Sequence, residues 1–207
     1  MDKSTRKEFA DIRSRLKDVL KKSRYEHTLG VEFTSAALAM RYGVDLYKAR
    51  MAGLLHDCAK NFTDEKLLEL CKKYKLGISE TEKRIPYLLH GKLGAYLAKK
   101  EYKIKDTEIL NAIEFHTTGR ENMSMLEKII FTADYIEPGR DKAPNLAKIR
   151  KMAFEDIDKA VLMIFDDTIS YILSNNQELD SVTLNAYNYL KNELELKKKE
   201  ERSIYDI

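Results

Sequence analysis

Four histidines, His27, His56, His90 and His116, are the only imidazoles in the chain, and none lies in its charged C-terminal tail. One is followed directly by an acid, in Ala52-Gly-Leu-Leu-His-Asp-Cys-Ala-Lys60. An apolar helix that ends by presenting an imidazole beside a carboxylate is poor core design but a good way to hold a divalent metal. A carboxylate on such a face must be paired or bound to a cation if it is buried. Asp134 repeats the anomaly in Ile129-Ile-Phe-Thr-Ala-Asp-Tyr-Ile136. Imidazole and carboxylate without thiolate suit iron, manganese, zinc and other divalent ions alike. His27, His56, Asp57, His90, His116 and Asp134 are more ligands than one catalytic ion needs if it also holds water. A two-metal site with Asp57 bridging accommodates them. Taken singly, each histidine has an ordinary reading as a hydrogen-bonded residue; the argument for metal rests on the set.

The elements that must position these residues read as helices. Three prolines and eight glycines punctuate the chain, and apolar residues recur at three- and four-residue spacing between them. The expected fold class is therefore all-α. Phe9, Ile12, Leu16 and Leu20 mark a first helix, and a second runs from about residue 24 to a stop at Gly43. A third begins at Asp45 and reaches His56-Asp57. Thr63 caps a fourth, and Ser79-Glu-Thr-Glu82 opens a fifth that carries His90, although Pro86 disturbs its start. Asp106 opens a sixth, ending at His116, and Ser124-Met-Leu-Glu127 is the capping box of the helix that carries Asp134. Glu137-Pro-Gly-Arg-Asp-Lys-Ala-Pro144 is an irregular loop, and three more helices are expected across residues 145–199.

The 207 residues, 43% hydrophobic and 34% charged, suit one folded domain over 1–207, with a ligand-bearing core at about 24–140. No apolar run approaches a bilayer span, and the start lacks an apolar signal region, so a soluble cytoplasmic protein is expected. Cys58 and Cys71 form no Cys-x-x-Cys pair, which argues against a disulfide or a thiolate zinc site. A net charge of +3 gives little reason to expect nucleic-acid binding. The run from Lys197 to Arg202 reads as a solvated helix end.

In order, His27, His56-Asp57, His90, His116 and Asp134 resemble the H…HD…H…H…D series of HD-domain metal-dependent phosphohydrolases. The flanking words Arg24-Tyr-Glu-His-Thr-Leu-Gly30, Leu54-Leu-His-Asp-Cys-Ala-Lys60 and Thr132-Ala-Asp-Tyr-Ile-Glu-Pro-Gly-Arg140 resemble one branch more closely. That branch is the YqeK family of bacterial symmetrical dinucleoside tetraphosphatases. The resemblance implies a helical HD bundle with additional C-terminal helices, and hydrolysis of diadenosine tetraphosphate to two ADP. It implies one iron held by His27, His56, Asp57 and Asp134. His90 and His116, with bridging Asp57, would hold or approach a second metal and the phosphates, making Asp57, His90 and His116 the catalytic residues. Iron is the implied cofactor, with manganese or another divalent ion as alternative. The implied partners are a dinucleoside polyphosphate and ADP, with no membrane or nucleic acid, in a monomer or homodimer.

A polyphosphate repels an anionic nucleophile, and two cations remove that obstacle by activating a water and binding phosphate oxygen. Basic residues near the ligand words would neutralise the remaining phosphates: Arg24, Lys60 and Arg140, all three supported by the family pattern, with Arg120 a weaker candidate. Their competing reading is as solvated side chains. Asn61, Phe62 and Thr63 would place backbone amides of a helix start on phosphate, or form a simple turn and cap. For Ser174–Gln177 and Tyr187-Asn188, ordinary loop and helix-face roles fit better than contact with base or ribose. Two other functions compete: an HD phosphohydrolase acting on another nucleotide or alarmone, and a nucleotide- or RNA-binding module that uses metal structurally.

Overall fold

The computed structural model describes residues 2–205, and side chains as far as Glu200. Every regular element among the described residues is helical: α1 (Lys3–Val19), α2 (Lys22–Tyr42), α3 (Leu46–Leu55), α4 (Asp64–Lys73), α5 (Glu80–Arg84), a 3-10 turn (Pro86–Leu88), α6 (Leu89–Lys100), α7 (Thr107–Glu114), α8 (Met125–Ile136), α9 (Leu146–Glu155), α10 (Ile157–Ser174) and α11 (Ser181–Tyr205). None is long and apolar enough to cross a membrane.

Local chemistry starts most of them. Asp2, Asp45, Thr63, Asp106 and Asp156 accept a first-turn backbone N–H in α1, α3, α4, α7 and α10. Ser79 and Ser124 complete capping boxes with Glu82 and Glu127. Each cap contributes about 1 kcal/mol. Gly43, at φ 67°, ends α2 in the left-handed conformation that costs glycine least.

Packing around two glycines brings the site helices together. α2 lies against α3, and at Gly53 an added Cβ would stand 2.9 Å from Ser35 Oγ and 3.1 Å from Glu32 Cα. α6 lies against α7, and an added Cβ at Gly91 would run into the Glu114 carbonyl. The helix of His27 is thereby set against the one leading to His56, and the helix of His90 against the one leading to His116. α8 joins them through contacts with α2, α3 and α7. Leu38, Leu54, Leu55, Leu93, Ile113 and Ile129 fill the space between and are fully buried, each contributing roughly 1.5–3 kcal/mol.

α9 and α10 pack on α8, where the Phe165 ring of α10 meets Phe131 at 4.8 Å and Tyr187 of α11 at 6.3 Å. Tyr187 is thus partly buried, and Ser174 and Asn175 bond back to the Tyr171 carbonyl at the end of α10. Lys197–Glu200 are exposed on α11; the side chains of Glu201 and Arg202 lie outside the described residues.

Two details depart from the sequence expectation. The expected fifth helix is broken into α5, a 3-10 turn and α6, because Pro86 has no N–H to continue α5. His56 and His116 lie one and two residues past the ends of α3 and α7, in the turns that follow.

Candidate metal centre

The turn after α3 explains how neighbouring residues both face inward. Adjacent side chains on an α-helix diverge by about 100°. After Leu55 the chain tightens, with Cys58 N–H donating to the Leu55 carbonyl (3.1 Å) and Lys60 N–H to that of Asp57 (2.9 Å). His56 is fully buried and Asp57 is 2% exposed.

All four histidines are oriented from behind. His56 Nδ1 donates to the Gly53 carbonyl (2.7 Å), His116 Nδ1 to that of Ile113 (2.7 Å) and His90 Nδ1 to that of Tyr87. His27 Nδ1 donates to Glu137 Oε1 (3.0 Å). Carbonyl and carboxylate oxygens only accept, so each Nδ1 carries a proton and each ring turns its Nε2 inward. Burial holds His90 at about 4, so its ring is neutral at pH 7.

The inward atoms converge on Asp57. Its Oδ2 lies 3.4 Å from His56 Nε2 and 3.9 Å from His27 Nε2, and its Oδ1 lies 3.4 Å from His90 Nε2 and 3.6 Å from His116 Nε2. Asp134 Oδ1 stands 2.9 Å from His27 Nε2 and 3.9 Å from His56 Nε2. Two ligand groups result, His27–His56–Asp134 and His56–Asp57–His116, each with one donor atom per residue within 4.8 Å of the others.

Three of these buried atoms, His27 Nε2, His56 Nε2 and Asp57 Oδ1, make no hydrogen bond among the described residues. The 2.9 Å approach of His27 to Asp134 lacks hydrogen-bond alignment, so both atoms aim at a third point and not at each other. His90 Nε2 and His116 Nε2 face each other at 3.1 Å, an arrangement of two lone pairs that suits a cation or a shared proton. Burial pushes the Asp57 and Asp134 carboxyls up. For Asp57 the imidazoles of His56, His116 and His90 outweigh it, and for Asp134 His27, His56 and Arg140 do, holding both well below the usual range. Two carboxylates and imidazoles with free donor atoms fit a divalent cation.

The basic residues divide. Arg24 Nη1 donates to Asp57 Oδ2 (2.7 Å), and Arg140 donates through Nε to the Asp134 carbonyl (2.9 Å) and through Nη2 to Asp134 Oδ1 (2.7 Å). Both line a cleft of about 400 Å³ over the centre, with His27, Asp134, Ser23 and Lys142. Lys60 Nζ stands 3.1 Å from His90 Nε2; burial lowers its pKa against the pull of Asp57 and Asp134. Asn61 Nδ2 donates to the Val19 carbonyl (2.6 Å), Phe62 is exposed and Thr63 caps α4. No hydrogen bond among the described residues joins these three to the His/Asp cluster. Arg120 is paired with buried Glu127 at 2.8 Å.

Three residues at the centre escape a reading of the sequence. Glu137 is 3% exposed behind His27, and the Thr117 hydroxyl lies 3.1 Å from His90 Nε2 and 3.0 Å from His116 Nε2. Arg150 of α9 donates to the carbonyls of Ile136 (2.9 Å), Glu137 (2.8 Å) and Arg140 (2.9 Å), fixing the loop after α8. The signals were slight: Thr117 adjoins a ligand, and Glu137 lies within the Asp134–Arg140 word.

Helices meeting at an ordered His/His-Asp/His/His/Asp centre define an HD-domain protein, and the HD domain family profile matches residues 24–139. A solved structure from Clostridium acetobutylicum, described as a "predicted HD superfamily hydrolase involved in NAD metabolism", superposes with a TM-score of 0.87. It is 48% identical and covers 89% of this chain and 97% of its own. The chain is 43% identical over 175 residues to a symmetrical bis(5'-nucleosyl)-tetraphosphatase of Halalkalibacterium halodurans, spanning 84% of this chain and 92% of that protein. It is 37% identical to the Bacillus subtilis protein of the same name, spanning 84% and 93%. The chain belongs to the HD-domain family of symmetrical bis(5'-nucleosyl)-tetraphosphatases.

Proposed function

We propose that this chain hydrolyses diadenosine tetraphosphate symmetrically to two ADP at a divalent-metal centre built on Asp57. The observation that carries the reading is the convergence of His27, His56, His90 and His116 on the two oxygens of one buried carboxylate, beneath a cleft walled by arginines. The near-full-length likeness to named tetraphosphatases supplies the substrate class.

His27, His56, Asp57 and Asp134 would hold one ion, and His90 and His116 with Asp57 a second, with iron the favoured metal and manganese the alternative. When bound, such ions supply Lewis acidity and a nucleophilic water at neutral pH. The chain's own residues do the rest. Asp57 faces both histidine pairs and fixes their separation. Arg24 and Arg140 sit on the ligand carboxylates and offer further N–H donors to phosphate oxygens in the cleft. Lys60 Nζ stands beside His90, where it would neutralise phosphate charge. Asn61, Phe62 and Thr63 at the start of α4 remain candidate contacts for a distal part of the substrate. No side chain has to act as covalent nucleophile. The chain acts in the cytoplasm, as a monomer or homodimer.

A substrate panel tests the assignment. Metal-loaded protein is incubated with diadenosine tetraphosphate, mononucleotides, alarmones and NAD, the last because of the description attached to the Clostridium relative. Preference for the tetraphosphate supports the reading. Faster turnover of any other class replaces it with another HD phosphohydrolase activity, and metal binding without turnover of any replaces it with a binding module.

A further inference from the structure

The loop after α8 contains a carboxylate that the proposed reaction leaves unused. Glu137 follows the last residue of α8, in a Glu-Pro-Gly sequence that ordinarily marks an exposed turn, yet it is 3% exposed. A carboxylate buried so deeply needs a positive or donating partner. Among the described residues, its side chain makes one ion pair, with His27 Nδ1 at 3.0 Å. Its other oxygen accepts from Gly139 N–H at 2.5 Å.

The protein makes room for this group on two sides. Gly30 lies one turn beyond His27 on α2, and an added Cβ there would run into Glu137 Oε2. At Gly139 an added Cβ would stand 3.0 Å and 3.1 Å from the two carboxylate oxygens. The backbone of Glu137 is fixed as well: its carbonyl accepts from Arg140 N–H (3.0 Å) and from Arg150 Nη2 (2.8 Å). A cation on the opposite ring nitrogen would strengthen the His27–Glu137 contact, because Nδ1–H then carries partial positive charge toward the carboxylate while the carboxylate makes Nε2 a stronger donor to the cation.

We propose that Glu137 is a positioning residue of the metal centre, holding His27 in its ligating tautomer and tying to that ligand the loop that carries Arg140. The inference rests on the metal-centre part of the proposed function and not on the identity of the substrate. His27 and Arg140 both converge on Asp134 Oδ1, at 2.9 Å and 2.7 Å. One carboxylate therefore sets a metal ligand and, through the Gly139 turn, the arginine that shares that ligand's partner.

The test measures metal affinity without substrate. Chelated parent, Glu137→Ala and Glu137→Gln proteins are titrated with Mn²⁺ by electron paramagnetic resonance, and the metal-free proteins are melted in parallel. Glu137→Ala is expected to weaken Mn²⁺ binding about 10–100-fold. Glu137→Gln, whose Oε1 still accepts from His27 Nδ1 while its amide nitrogen cannot accept from Gly139, is expected to recover most of that loss. Parental affinity in Glu137→Ala overturns the proposal. So does equal weakening in both variants that tracks a fall in metal-free melting temperature, since that is the signature of a loop support alone. Failure of the parent to turn over diadenosine tetraphosphate would leave these titrations unaffected, so the two readings fail separately.

Discussion

Arg24 Nη1 stands 2.7 Å from Oδ2 of Asp57, a carboxylate that is 2% exposed, while Oδ1 of the same group has no hydrogen bond among the described residues. One oxygen is thus held by an arginine from α2, and the other is left to the histidines of α6 and the turn after α7. This asymmetry leaves one Asp57 oxygen open to the histidine cluster.

Replacing Asp57 with Ala removes the carboxylate that faces both histidine pairs and leaves Arg24 without that partner. Metal content and phosphohydrolase activity are expected to fall together, the latter by about 10²–10³-fold, the scale on which removing a key electrostatic group acts. Elemental analysis beside the activity assay checks this. Retained activity with full metal content would show that the shared-ligand arrangement is wrong.

Arg150 holds the loop after α8 through three carbonyls. Arg150→Ala leaves the Ile136 and Arg140 carbonyls without this donor and the Glu137 carbonyl with Arg140 N–H alone, and each acceptor left unmet costs about 1–3 kcal/mol. The expected result is a lower urea midpoint together with weaker substrate binding, because Arg140 loses its fixed position. An unchanged midpoint would mean that α9 does not support the site.

The metal-free protein should lose stability in acid because of His90. Its folded pKa is about 4, below the unfolded 6.5, because burial opposes the charged ring. Between these values the unfolded chain binds the extra proton, so stability rises with pH in that window. The contribution is fully present above 6.5 and lost as pH falls through 4, on the order of 3 kcal/mol. Urea titrations of chelated protein at several pH values read this slope. A flat profile between pH 6.5 and 4 would contradict it.

Neither cysteine should be reactive. Burial pushes the Cys58 thiol up to about 12 and the Cys71 thiol up to about 11, and both are free. A disulfide reagent at pH 8 is expected to label the folded protein far more slowly than the urea-unfolded chain. Rapid labelling of the native protein would show that the turn carrying Cys58 opens readily.

The His/Asp series that converges at the centre is legible in the sequence because histidines and acids on apolar helix faces stand out against the physics of burial. The caps at Thr63, Asp106 and Ser124 are legible for a similar reason, since they depend on residues within one turn. Glu137 is not legible, because its burial is created by Gly30 and His27 on a helix distant in sequence. The ion pairs Arg24–Asp57 and Arg140–Asp134 are likewise products of folding, although both arginines are visible as basic residues near ligand words. The split at Pro86 shows a propensity rule overriding the apolar spacing that suggested one continuous helix.

The most direct measurement is product separation before and after metal removal. The chain is incubated with diadenosine tetraphosphate as purified, after chelation, and after reloading with Fe²⁺ or Mn²⁺. The account predicts ADP as the sole product, its loss on chelation and its return with metal. AMP together with ATP, or ADP formation that survives complete chelation, would contradict it.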